Sequence, residues 1–311
     1  MKLIFFGSPE YSLPSLTKLY QSHHEIIAIY TQPDKPSGRG SQENPTPIKS
    51  LANELNIPVY TPSSLKTDEA FNQLNQLEFD LGVVIAYGNI LSTKILNIPK
   101  YGYINAHGSL LPQYRGASPI TAPLLNGDST TGVTIQKMVL KVDAGDIVNS
   151  DTISISKEDN ASTLHDKLSE LSSTLLLETC NMVETNKINA IPQDESKATF
   201  VKKLTKQMGH INWNESANII ERKIRAFYPW PGSFSFVNLK NKDARIKILK
   251  ATSTDEKGQP GIIKDLNPLN FLIGTGNGCL RIFKLQREGK KKQSTAEFLN
   301  GNQLDINNQW H

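Results

Sequence analysis

Asn105-Ala106-His107 sets an amide and an imidazole two residues apart. In a strand, that spacing puts both side chains on one face. The asparagine offers an N–H2 donor, and histidine is the side chain poised for proton transfer near neutral pH. Together they have the means to hold a carbonyl oxygen and manage a proton at one atom. Downstream, Asp143 lies in Val142-Asp143-Ala144-Gly145-Asp146, a carboxylate on a glycine-bearing turn placed to reach His107 and set its charge. Each residue also has a plainer reading: a turn asparagine, a capping histidine, an Asx turn. Between them runs Gly108-Ser109-Leu110-Leu111-Pro112-Gln113-Tyr114-Arg115-Gly116. Its Leu-Leu-Pro suits either a wall that contacts a ligand or burial under the next helix.

These residues need elements to hold them. Leu3–Phe6, Ile26–Tyr30, Leu81–Tyr87 and Tyr103–His107 are short, nearly continuous apolar runs. Helical patterns follow the first, through Leu13, Leu16 and Leu19, and the second, where Thr46 caps and Pro47 fits the first turn. Buried strands alternating with helices predict a mostly parallel, Rossmann-like α/β sheet, and such sheets place ligands at the carboxyl ends of their strands, where Asn105 and His107 fall. Gln32–Asn44, with Pro33, Pro36, Gly38 and Gly40, is expected to be a loop. Gly7-Ser8-Pro9 lacks the dinucleotide fingerprint and no phosphate-binding P-loop pattern occurs, so no nucleotide cofactor is expected.

Residues 133–136 and 147–155 alternate with period two and predict antiparallel strands. A long amphipathic helix is expected over 161–185, then a polar linker at 189–207, then a helix near 215–227. Five short strands follow, at 233–239, 245–252, 261–265, 270–274 and 279–285, separated by turns such as Gly276-Asn277-Gly278. That spacing predicts a small OB-like β-barrel. The expected domains are therefore 1–188 and 208–311.

Charge divides the same way. The 311 residues carry a net +4, but residues 1–200 hold 15 basic and 21 acidic side chains, and residues 201–311 hold 19 and 9. A net −6 followed by +10 suggests a polyanionic partner for the C-terminal third, or a solvated lysine-rich surface. Lys290-Lys291-Lys292 is the densest run, suited to phosphates or to solvating a hairpin. Trp230, flanked by Pro229 and Pro231, is read as an aromatic that fastens a domain junction, with base stacking as the other option. No run of 18 apolar residues exists, so no membrane span is expected. Two distant cysteines, Cys180 and Cys279, exclude a disulfide framework or a cysteine zinc site and fit a reducing cytoplasm.

Finally, GYINAHGSLLPQYRGASPI, KVDAGDI and IRAFYPWPGS strongly resemble the methionyl-tRNA formyltransferase family, as do LIFFGSPEYSLPSL, TQPDKPSGRG and VVIAYG. The resemblance covers almost the whole chain. Asn-x-His, S-L-L-P and the downstream Asp-x-G mark the wider group that uses 10-formyltetrahydrofolate, and RAFYPWPG with the basic C-terminal region narrows it to the tRNA enzyme. The resemblance implies transfer of the formyl group to the α-amino group of methionine on initiator tRNA, for translation initiation. It implies Asn105 and His107 as stabilisers of the tetrahedral oxyanion, with Asp143 orienting His107, favouring its protonated form and helping to receive the amine proton. It implies Ser109, Leu110, Leu111 and Pro112 lining the folate site, and backbone at Ile85, Tyr87 and Gly88 contacting the pterin. It gives Arg39 a grip on the acceptor stem, although Ser41-Gln42-Glu43 stand where the family often has lysines. Lys290, Lys291 and Lys292 are the expected phosphate contacts of the barrel. The expected partners are folate and initiator methionyl-tRNA, with no metal and no membrane, and the chain is expected to be a cytoplasmic monomer. Competing readings are a formyltransferase for amino-sugar nucleotides, a folate-binding hydrolase that releases formate, and a non-catalytic RNA-binding protein.

Overall fold

The computed structural model describes residues 1–37, 42–239, 242–302, 304–306 and 308–311. The chain forms two compact units. The first comprises Met1–Pro119, Thr130–Ser154 and His165–Val201, and the second Ile120–Ser129, Ile155–Leu164 and Lys202–His311.

In chain order the elements of the N-terminal half are β1 (Lys2–Gly7), α1 (Leu13–Tyr20), β2 (Glu25–Tyr30), β3 (Lys35–Ser37), β4 (Gln42–Asn44), α2 (Pro47–Glu54), β5 (Val59–Tyr60), α3 (Asp68–Asn75), β6 (Leu81–Ile85), α4 (Thr93–Leu96) and β7 (Tyr103–His107). They continue with β8 (Arg115–Gly116), α5 (Ala122–Asn126), β9 (Thr130–Lys137), β10 (Ile147–Ser154), α6 (Ala161–Glu184) and β11 (Phe200–Val201). The main sheet has the order β10-β9-β7-β6-β1-β2-β5. It is parallel from β7 to β5, and β9 and β10 are antiparallel, as the change of periodicity predicts. Ile4 and Phe6 of β1 pack with Leu74 of α3 and Ile95 of α4, while alternation turns Leu3 and Phe5 to the other face, where they are equally buried. Burial on both faces is why these strands read as unbroken apolar runs. Thr46 caps α2 by accepting from the Lys49 amide at 3.1 Å, with Pro47 in the first turn.

Three expectations need correction. The predicted strand through Tyr87 stops at Ile85, because Ala86 and Gly88 adopt φ of 49° and 82° and leave the extended region. The expected loop Gln32–Asn44 contains a short antiparallel pair, β3 against β4. The stretch expected as a linker is partly regular. Ile191 exchanges both backbone hydrogen bonds with Ile147 at 2.8 Å, and β11 pairs in parallel with β8. Its polarity reflects exposure, since most of the stretch faces solvent and Gln193 is among the few residues that are half-buried.

The second unit contains α7 (Ala217–Ala226), β12 (Ser233–Leu239), β13 (Lys242–Thr254), β14 (Ile263–Leu266), β15 (Phe271–Gly274), β16 (Cys279–Arg287), β17 (Gln293–Ser294) and α8 (Thr295–Gly301). The antiparallel sheet runs β12-β13-β16-β15-β14, with β17 on β16. Residues 309–311 link its two edge strands. Trp310 bridges Val237 of β12, Gln309 bridges Ile262, and the Trp310 amide donates to Gly261 at 2.7 Å. This curling around Ile246, Ile273, Ile282 and Trp310 is the expected OB-like barrel. Within this unit α5 packs on α7, where Arg222 donates to the Asn126 carbonyl at 3.0 Å. Helix α8 escaped the sequence reading, although Ser294-x-x-Glu297 forms a full capping box and was its visible signal. Among the described residues no helix is long and apolar enough to cross a membrane.

Candidate active site

Strand β7 ends between β6 and β9, with Asn105 opposite Gln136 and His107 opposite Thr134. The two side chains share a face, as their spacing requires. Asn105 donates one amide hydrogen to the Val84 carbonyl at 3.1 Å and accepts a long contact from Gln136 at 3.4 Å. Its second N–H has no partner among the described residues. His107 is buried, and both ring nitrogens face oxygen. Nε2 lies 2.9 Å from the Tyr114 carbonyl, and Nδ1 lies 3.6 Å from Oδ1 of Asp143.

Asp143 occupies the turn between β9 and β10 with φ of 53°, in the left-handed region. A non-glycine residue there is strained and persists where its surroundings over-determine it. Gly145 makes the turn possible, since a Cβ at that position would run into the Lys137 carbonyl. The carboxylate is gripped twice: Oδ2 accepts from the Gly116 amide at 2.8 Å and Oδ1 from Gln136 at 3.1 Å. The result is an amide donor, an imidazole and a fixed carboxylate at the carboxyl end of parallel strands. That set can polarise a carbonyl, stabilise an oxyanion and relay a proton.

The residues from Ser109 to Pro112 pack onto β9. Ser109 donates to the Gln113 carbonyl at 2.7 Å, and Thr134 ties the turn by donating to Ser109 O and accepting from the Leu111 amide. Ser109 and Leu111 are buried, whereas Leu110 and Pro112 keep part of their surface. The Tyr87 carbonyl accepts from Gln32 at 3.1 Å, and burial pushes the Tyr87 phenol above its ordinary range.

Comparison with known proteins decides the family. A formyl transferase model matches residues 1–180 and a formyl transferase C-terminal domain model matches residues 203–303. Methionyl-tRNA formyltransferase of Alkaliphilus oremlandii is 42% identical over 310 residues, covering 99% of each chain. The protein of the same name from Rickettsia bellii is 43% identical over 303 residues, 97% of each chain. The chain belongs to the methionyl-tRNA formyltransferase family.

Solved structures place this formyltransferase fold in wider company. An N-formyltransferase from Helicobacter canadensis, solved with folinic acid and dTDP-3-aminofucose, superposes with a TM-score of 0.67 at 18% identity, covering 94% of this chain and 100% of that one. HypX from Aquifex aeolicus, solved with tetrahydrofolic acid, gives 0.61 at 17% identity over 96% of this chain and 47% of its own. At these identities the likeness is one of fold.

Arg39 lies outside the described residues. Lys290, Lys291 and Lys292 are exposed on the second unit, but Lys292 is engaged: its Nζ lies 3.2 Å from the Tyr228 hydroxyl and 5.2 Å from the centre of that ring. Trp230 is 50% exposed. Gln136 and Gln193 were missed. Gln136 sits in a period-two strand that announced burial but no chemistry, and Gln193 in a polar stretch without periodicity.

Proposed function

We propose that the chain transfers the formyl group of 10-formyltetrahydrofolate to the α-amino group of methionine on initiator tRNA, giving N-formylmethionyl-tRNA for translation initiation. The observation that carries this reading is the match to curated methionyl-tRNA formyltransferases over 99% of the chain, which takes in both the site and the basic second unit.

The chemistry follows from the site. The amine attacks the formyl carbon and the carbonyl oxygen gains negative charge; collapse of this tetrahedral intermediate breaks the bond from the formyl carbon to N10, and tetrahydrofolate leaves with a proton on N10 in place of the one lost by the amine. Asn105, with an unspent amide hydrogen, donates to that oxygen. His107 joins by turning Nε2 from the Tyr114 carbonyl to the oxyanion. Asp143, held on both oxygens, keeps Nδ1 aligned and helps take the proton that leaves the amine. Leu110 and Pro112 offer apolar surface to the folate, with Ser109 and Leu111 supporting them from below, and the backbone at Ile85, Tyr87 and Gly88 suits the polar edge of the pterin. No step requires a metal or a nucleotide cofactor. In this reading the acidic first unit holds folate and does the chemistry. The basic second unit, with Lys290, Lys291 and Lys292, holds tRNA phosphates, and Arg39 grips the acceptor stem. The enzyme works as a cytoplasmic monomer.

The test uses two acceptors. The full chain is incubated with 10-formyltetrahydrofolate and either charged initiator tRNA or an amino-sugar nucleotide, and formylated product is measured. Transfer to the tRNA alone is expected. Transfer to the sugar nucleotide alone, or release of formate without transfer, would overturn the reading.

A further inference from the structure

Asp143 is held from a direction that the motifs around it do not supply. The side-chain amide of Gln193 donates to the Asp143 carbonyl at 3.0 Å and to the Gly145 carbonyl at 2.7 Å, so it spans the strained turn from outside. The amide has one available orientation. Its Oε1 accepts from Arg115 at Nε (3.1 Å) and Nη2 (2.8 Å), and a guanidinium only donates, so the NH2 group must face the turn. Arg115 is 1% exposed. Its Nη2 also reaches Glu195 at 2.8 Å, and Glu195 in turn accepts from Lys141, two residues before Asp143, at 2.7 Å. Backbone pairing of Ile191 with Ile147 and of Phe200 with Arg115 fixes the segment at both ends.

We infer that Gln193, oriented by the buried Arg115, is a positioning residue that sets the Asp143 carboxylate for catalysis. The inference rests on Asp143 acting in the reaction as proposed above. A carboxylate on a left-handed turn is displaced by small changes in that turn, and misplacement of a reacting group by about 1 Å can cost roughly 100-fold in rate.

The deciding variant is Gln193→Glu. A carboxylate at this position keeps, and as an ion pair strengthens, the link to Arg115, but it turns an acceptor toward the Asp143 and Gly145 carbonyls. Folding support is retained while the clamp on Asp143 is released. Expected is a fall in kcat of about 10- to 100-fold, with KM for the formyl donor within about twofold and the melting temperature kept. Gln193→Ala should lower kcat similarly. Combined with Asp143→Asn, either change should cost little more than Asp143→Asn alone, because the two act as one unit. Full turnover in Gln193→Glu beside an inactive Asp143→Asn would overturn the positioning role and leave the proposed chemistry standing. Simple multiplication of the two losses would also overturn it. Full turnover in Asp143→Asn itself would bring down the proposed chemistry and this inference together.

Discussion

The Nδ1 atom of His107 stands 3.6 Å from Oδ1 of Asp143, just beyond hydrogen-bond length, while the opposite ring nitrogen is 2.9 Å from the Tyr114 carbonyl. The carboxylate is the better fixed partner, since the Gly116 amide and Gln136 both hold it. The ring's shorter contact is thus to a backbone carbonyl and its longer one to the carboxylate, and hydrogen bonds at active sites often tighten only once substrate is bound.

Asn105→Ala and His107→Ala should each lower kcat by roughly 100- to 1000-fold, the usual cost of one oxyanion donor. His107 ends β7 and Asn105, at its centre, is only half-buried, so folding should survive. Single-turnover formyl transfer on purified variants with intact circular dichroism checks this, and near-normal turnover in either one rules it out of the chemistry.

Lys292 is occupied by Tyr228, and Lys290 and Lys291 are the more available pair. Changing both to Ala should reduce the log–log salt slope of tRNA binding by about 0.7–0.9 for each phosphate no longer neutralised, and leave the rate at saturating tRNA nearly unchanged. An unaltered slope would mean that these lysines only solvate the β16–β17 turn.

His24 is 4% exposed, with Nε2 3.0 Å from the Asn181 amide oxygen. Burial, then the neighbouring His23, lowers its affinity for a proton below that of an ordinary histidine. Once unfolded, the chain takes up that proton more readily than the native state. The stabilisation is thus complete above pH of about 6.5 and is lost as pH falls through the lowered native value. His24→Gln should flatten the decline in melting temperature between pH of about 7.5 and about 5, and an identical decline in both proteins would sink the idea.

Trp310 is 1% exposed and packs against Phe271 and Trp213, with ring centres 5.7 and 6.4 Å away. Trp310→Ala should cost about 3–5 kcal/mol of the second unit's stability. Urea unfolding followed by circular dichroism measures this. A change below about 1 kcal/mol would show that the barrel does not depend on its closure by residues 309–311.

Much of this was legible in the sequence because its signals are local. The apolar runs of β1, β2, β6 and β7 reflect burial on both faces, and the spacing of Asn105 and His107 alone places them on one face of their strand. What could not be read depends on distant pairing. Gln193 meets Asp143 across 50 residues. A polar residue in an aperiodic stretch looks the same whether it faces water or clamps a turn. Lys292 likewise reads as one of three equal cations, and only the fold brings Tyr228 beneath it.

The chain passes between its two compact units at 119/120, 129/130, 154/155, 164/165 and 201/202. A gene cut after residue 207 would leave α5 and residues 155–164 with the wrong fragment. Arg222 would lose the Asn126 carbonyl and Arg225 the Asp159 carbonyl, baring the face of α7 that they cover. The basic barrel is therefore no cassette that recombination can graft elsewhere through one joint. Any transplant must carry the segments 120–129 and 155–164 with it.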